Sequence, residues 1–181
     1  MPEKLLPTFQ EKIFWSYANL AMAHSALTAG QTGYNRVNYM IRSKLYKGLM
    51  TGTMDFRSLF DDEKIKLHSG PQCSYCGSEG PLALDHVMPK VMGGIDTGDN
   101  LLHACRSCNS SKGGKDLMAW MTSQNNFPPL MILRRYLKLV LAHARKENLL
   151  QLSTEELLTR NLPFDPTQLP IKFPPLSELK L

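Results

Sequence analysis

The 181-residue sequence contains no apolar run of membrane-spanning length, and its only four cysteines all fall in two short pairs. The first absence excludes a transmembrane helix, which needs roughly 20 consecutive apolar residues. The second leaves no thiol for disulfides elsewhere, so a disulfide-stapled fold is excluded and a reducing, cytoplasmic compartment is expected. Residues 1–30 contain Glu3 and Glu11 and lack a basic start followed by an apolar stretch, so no secretory leader is expected. There is no internal repeat beyond the cysteine pairs. Nor is there a strong charge of either sign: the formal net charge is +5, and it is unevenly placed. Residues 1–70 hold nine Lys/Arg against six Asp/Glu, residues 121–181 eight against five, and residues 71–120 four against five. A slightly acidic centre between basic flanks suits a metal site set between surfaces able to hold phosphate backbones.

The cysteines themselves carry the strongest signal. Cys73 and Cys76 form one C-x-x-C pair and Cys105 and Cys108 the other, with 28 residues between the inner cysteines. Four thiolates complete a tetrahedral zinc shell and leave no open position for substrate, so one structural Zn2+ per chain is expected. Such an ion replaces the apolar core that a segment as short as 71–120 cannot supply. Its binding energy is then largely folding energy, about 10–16 kcal/mol in small zinc modules.

Inside that frame, residues 82–87 (LALDHV) have the apolar content of a strand. Asp85 and His86 are adjacent on it, so their side chains leave on opposite faces. Pro89 interrupts the strand, turns at Gly93-Gly94 and Gly98 bring the chain back, and Asn100-Leu101-Leu102 supplies a short antiparallel partner. The run from Cys105 begins as a knuckle and continues as a helix through Trp120. Gly113 and Gly114 mark a kink or a close backbone approach within it. Trp120 is expected to pack, and His103 lies near both the zinc frame and the Asp-His pair.

Taken in order, Cys73/Cys76, Asp85-His86, Pro89, Gly93-Gly94, Asn100-Leu101, Cys105/Cys108, Asn109 and Lys112 resemble the HNH endonuclease family. These are the ββα-metal or His-Me finger nucleases, here of the subclass held in a four-cysteine zinc site. The resemblance covers residues 71–120. It implies DNA phosphodiester hydrolysis, by nicking or double-strand cleavage, with 5′-phosphate and 3′-hydroxyl products. His86 would be the general base, and Asp85 and Asn109 the ligands of a catalytic Mg2+ or Mn2+. Asn100 would tie the loop to the strand and hold the His86 ring. The chemistry agrees: imidazole titrates near neutrality, and a carboxylate with an amide oxygen suits a hard cation. Lys112, Arg106 and Lys115 are expected to contact phosphate. Restriction, phage, homing and defence settings are all compatible. The alternative is a non-catalytic zinc module that binds nucleic acid or a protein partner.

The flanks read as mainly α-helical, which makes the whole an α+β chain: helical 1–70, the nuclease module 71–120, and a helix with a proline-rich arm in 121–181. Thr8 with Glu11 predicts a capping box for a helix that ends at Gly30, with Ile13, Phe14, Tyr17, Leu20, Ala21 and His24 on one stripe. Asn35 predicts a second helix with Val37, Met40, Ile41 and Leu45 inward and a basic side of Arg36, Arg42, Lys44 and Lys47. Arg42, Lys44 and Lys47 are the expected contacts to a duplex DNA backbone. Residues 61–66 read as a polar link or short helix. Pro128-Pro129 starts a helix to about Asn148, whose stripe of Leu130, Leu133, Leu137 and Val140 offers either a homodimer surface or a seat for the first helix. Ser153 with Glu156 predicts a short capped helix. Five prolines at 163, 166, 170, 174 and 175 predict an extended arm packed on its own domain or on a partner, such as an accessory subunit.

Overall fold

The structure, a computed structural model, describes residues 5–56 and 72–181; the link expected at 61–66 lies outside them. Helix α1 (Phe9–Thr28) starts where the Thr8 hydroxyl accepts from the Glu11 N–H at 3.3 Å and the Glu11 carboxylate accepts from the Thr8 N–H at 3.0 Å. Helix α2 (Arg36–Met50) is capped in the same reciprocal way by Asn35 and Asn38. The two helices pack on each other, but through only part of the face expected of α2. Val37 and Met40 are each 59% exposed, while Asn38 is buried and Ile41, Leu45 and Leu49 turn toward α1. Contacts to α1 hold α2 in this rotation: Arg42 lies over the Trp15 ring at 4.6 Å and Tyr46 meets it edge-on at 5.3 Å.

Strands β1 (Leu82–His86) and β2 (Leu101–Cys105) form one antiparallel pair, with Asp85 opposite Leu102 and His86 opposite Leu101. Leu102 and Ala104 are buried on one face, and Leu84 and His103 face outward on the other. The helix expected from the knuckle through Trp120 is two helices, α3 (Arg106–Lys112) and α4 (Leu117–Ser123). Gly113 ends α3 at φ +51°, a conformation that glycine adopts without steric cost. Asp116 then starts α4 by accepting from the Met118 and Ala119 N–H groups at 2.9 and 3.0 Å. A Cβ at Gly114 would stand 2.6 Å from Cγ2 of the exposed Val91, which would have to turn aside.

Helix α5 (Leu130–Lys146) follows the two prolines and packs against α1. Leu130, Leu133, Leu137 and Val140 are fully buried within the chain, so this stripe seats α1 and offers no surface for a second copy. Helix α6 (Thr154–Leu158) carries the Ser153–Glu156 box. The proline-rich arm runs back over α1 of its own chain. Phe164 stacks on Phe9 at 5.6 Å, and the Ile171 carbonyl accepts from the Trp15 indole and the Asn19 amide at 3.1 and 3.0 Å. One hydrophobic cluster joins α1, the β-hairpin, α4, α5 and the arm.

Truncating Leu133 to Ala should cost about 2–5 kcal/mol, because it empties a fully enclosed site. Met40→Ala, on the exposed face of α2, should stay within about 0.5 kcal/mol. Denaturant unfolding of the two variants measures both, and a large loss at Met40 would contradict the observed facing of α2.

Candidate metal centre and active site

The first cysteine pair lies in a turn closed by hydrogen bonds from Gly77 N to the Cys73 carbonyl at 2.8 Å and from Cys73 N to the Ser78 carbonyl at 2.9 Å. The Ser74 N–H reaches the His103 carbonyl at 2.8 Å and clamps this turn to β2. Cys105 ends β2 and caps α3, its sulfur accepting from the Cys108 N–H at 3.4 Å. All four Sγ atoms lie within 4.8 Å of one another, and those of Cys76 and Cys105 are 3.9 Å apart. Tetrahedral zinc with thiolates at about 2.3 Å places its sulfurs about 3.8 Å apart, so the cluster fits such an ion. The Cys108 N–H brings the Cys105 thiol down to about 6, and the Ser78 hydroxyl lowers Cys76, which favours the thiolate form a metal needs. Burial pushes Cys108 up. His103 serves through its backbone, with its ring outside the cluster.

The strand pleat separates the two central side chains. Asp85 points inward and is buried, where it accepts from the Tyr75 hydroxyl at 2.7 Å and pairs with the Lys112 ammonium at 3.2 Å. Lys112 is wholly buried and also donates to the His86 carbonyl at 2.5 Å. Burial lowers its pKa and the Asp85 charge opposes that shift. The expected phosphate contact from Lys112 is thereby corrected: its ammonium pins α3 to the end of β1. Tyr75 is itself set by an edge contact with Trp120 at 5.0 Å, and the Trp120 indole donates to Ser111 at 3.0 Å. Trp120 packs, as expected.

His86 lies on the outer side, its ring partly exposed, with Nε2 2.9 Å from Asp96 Oδ1. The other Asp96 oxygen is 3.2 Å from Lys90 Nζ. The His86 ring, and then Lys90, hold the Asp96 carboxyl below the usual carboxylate range. Asn100 is buried beneath this loop. Its amide nitrogen donates to the Met88 and Ile95 carbonyls at 2.9 and 2.8 Å, and its oxygen accepts from the Met88 N–H at 2.8 Å. Gly94 lets the loop close so tightly: a Cβ there would fall 2.0 Å from the Met88 carbonyl oxygen.

Asn109 is on α3, where with Arg106 and Ser110 it borders a groove of about 230 Å³ floored by Pro81, Leu82 and Ala83. The groove takes residues from both faces of β1, since Leu82 and Ala83 alternate along the strand. Two further residues belong to this constellation. Tyr75 is hidden in the sequence because its place beside Asp85 depends on the metal turn. Asp96 is two residues beyond Gly94, a carboxylate on a turn that returns the chain toward His86, and that is its signal in the sequence.

The central segment has known relatives. Residues 73–115 match the HNH endonuclease family. Over 53 residues the chain is also 38% identical to the CRISPR-associated endonuclease Cas9 of Corynebacterium diphtheriae, a stretch that is 27% of this chain and 5% of that protein. The chain thus spans a small part of that relative's length. No solved structure matches it. The segment that matches comprises the hairpin β1–β2 with α3, closed by a four-cysteine cluster able to hold a metal ion.

Metal analysis of purified protein should find one tightly held ion per chain. Cys105→Ser should reduce the metal content and the unfolding temperature together, because opening the shell removes folding energy, while His103→Ala leaves both unchanged. Fully folded, metal-free protein would contradict this.

Proposed function

We propose that this chain is a metal-dependent endonuclease that hydrolyses phosphodiester bonds of DNA through its HNH module. The observation that carries the reading is the placement of Asp85 and His86 at the end of β1 over an Asn100-braced loop, within a segment that matches a family of endonucleases. Asp85 and Asn109 would hold a divalent ion such as Mg2+ or Mn2+, a hard cation whose charge offsets that developing on the scissile phosphate. Oδ2 of Asp85 takes both Tyr75 and Lys112, at 2.7 and 3.2 Å, while Oδ1, 3.5 Å from the Lys112 ammonium, keeps lone-pair capacity for that ion. His86 takes the proton from the attacking water, and Asn100 keeps the loop at a fixed distance from the ring. Arg106 and Lys115 on the module, and Lys44 and Lys47 on α2, contact the backbone. The products are a 5′-phosphate and a 3′-hydroxyl, and target choice comes from the flanks or from an accessory chain. The resident ion of the cysteine cluster is a structural zinc.

A second reading, a zinc-stabilised module that binds nucleic acid without cutting it, is favoured by one observation. Lys112 already neutralises Asp85 at 3.2 Å. Plasmid DNA incubated with Mg2+ or Mn2+ separates the two. His86→Ala should lose about 10²–10⁴ of the cleavage rate with metal content and DNA affinity unchanged. Asp85→Asn and Asn109→Ala should weaken the response to Mg2+ and recover partly in excess Mn2+. DNA binding without cleavage under both metals would leave the binding module as the function.

The basic side of α2 makes a separate prediction. Arg42 lies over the Trp15 and Tyr39 rings at 4.6 and 5.1 Å and donates to Asn19 at 3.2 Å, so it joins α2 to α1. Neutralising Lys44 and Lys47 should flatten the slope of log affinity against log salt by about one for each phosphate that is no longer neutralised. Arg42→Gln should instead lower stability and leave that slope in place. Salt titrations of DNA binding, paired with unfolding curves, check both.

A further inference from the structure

We infer that Asp96 is the positioning residue of His86: its carboxylate holds the Nε2–H of the ring and so leaves Nδ1 as the atom that accepts the proton from water. The inference rests on the endonuclease reading and deepens it, since it names the group that hydrogen-bonds the base. Three observations converge. The Nε2 to Oδ1 distance is 2.9 Å, a normal hydrogen bond. An ionised carboxylate can only accept, so the ring nitrogen facing it must carry the hydrogen, and in neutral imidazole the other nitrogen is then the acceptor. The second Asp96 oxygen is engaged by Lys90 at 3.2 Å, which restrains the carboxylate although its side chain is 60% exposed.

The backbone around the pair is also fixed. The Asn100 amide grips the Ile95 carbonyl, immediately before Asp96, and the Met88 carbonyl, two residues beyond His86. Gly94 packs the turn against the Met88 carbonyl with no room for a side chain. One buried amide therefore holds both halves of the dyad, and the carboxylate and ring meet without a long search of rotamers. This gives Asn100 a role distinct from that of Asp96: it sets the distance between two strands of backbone, and Asp96 sets the orientation and tautomer of one ring.

The test uses the full-length, metal-loaded protein. Asp96→Ala should lower kcat for DNA cleavage about ten- to a hundred-fold, by analogy with the loss when the partner that orients a metal-ligating histidine is removed. KM, DNA affinity and metal content should hold. Asp96→Asn, whose amide oxygen can still accept from Nε2–H, should recover part of the loss. In the His86→Ala background Asp96→Ala should add no further loss, because it acts only through the ring. Nitrogen NMR of His86 should show the Nε2–H form in the wild type and a mixture of tautomers in Asp96→Ala. Equal cleavage by Asp96→Ala with an unchanged His86 spectrum would overturn the inference while leaving the nuclease reading intact. Rescue of Asp96→Ala by excess Mn2+ would also overturn it, by making Asp96 a metal ligand. A wild type that never cuts DNA would sink the nuclease reading itself, and the NMR arm would still report whether Asp96 sets the tautomer.

Discussion

Two five-residue strands joined by an irregular loop bury too little apolar surface to stand alone, and the four-sulfur cluster closes them into a unit. It ties the turn at 74–76 to the end of β2 and the first turn of α3. That closure carries Tyr75 to the buried face of β1, where its hydroxyl meets Asp85 and its ring meets Trp120. It also starts α3 at a fixed point, so that Lys112, near the end of that helix, arrives under the His86 carbonyl. Both side chains that bond Asp85, Tyr75 and Lys112, stand on segments that carry cysteines of this cluster.

The pleat then gives two adjacent residues opposite surroundings. Asp85 goes to a buried pocket where a phenol and an ammonium compensate its charge, as a desolvated carboxylate requires. His86 goes to the outer face, beside Asp96 and Lys90, where its ring is partly exposed. The loop between the strands supplies the rest through Asn100.

The flanks take part in this arrangement. Arg135 on α5 donates to the Asp99 carbonyl at 2.7 Å, next to Asn100. Tyr136, the following residue, donates to Asp116 at 2.8 Å, and this carboxylate also starts α4. Burial raises the pKa of Asp116, opposed by the N–H groups it accepts from and the Tyr136 hydroxyl. Two consecutive residues of α5 thus grip the module on either side of α3, and α5 is itself seated on α1. The module is held by the helices, and the same helices leave Lys44 and Lys47 exposed on the outer side of α2.

What the residues determined by themselves was everything decided within a few positions of chain: the paired cysteines, the capping boxes at Thr8 and Ser153, the strand around Asp85-His86, and the burial of the Leu133–Leu137–Val140 stripe. Each of these follows from local hydrogen bonds or from a period that one element fixes alone. Tertiary structure decided what depended on two distant segments meeting. Lys112 reads as a phosphate-contacting cation on a helix that runs through Trp120, and only the approach of β1 turns it into a buried tie. Asp96 reads as one loop carboxylate among several until the Asn100 clamp brings it to His86. Val37 and Met40 read as inward because apolar periodicity says so, but α2 meets α1 through Arg42 and Tyr46, whose partners Trp15 and Asn19 lie on the other helix. The physical reason is common to all three: a side chain's partner across the fold is set by loop closure and packing, which no local pattern of residues contains.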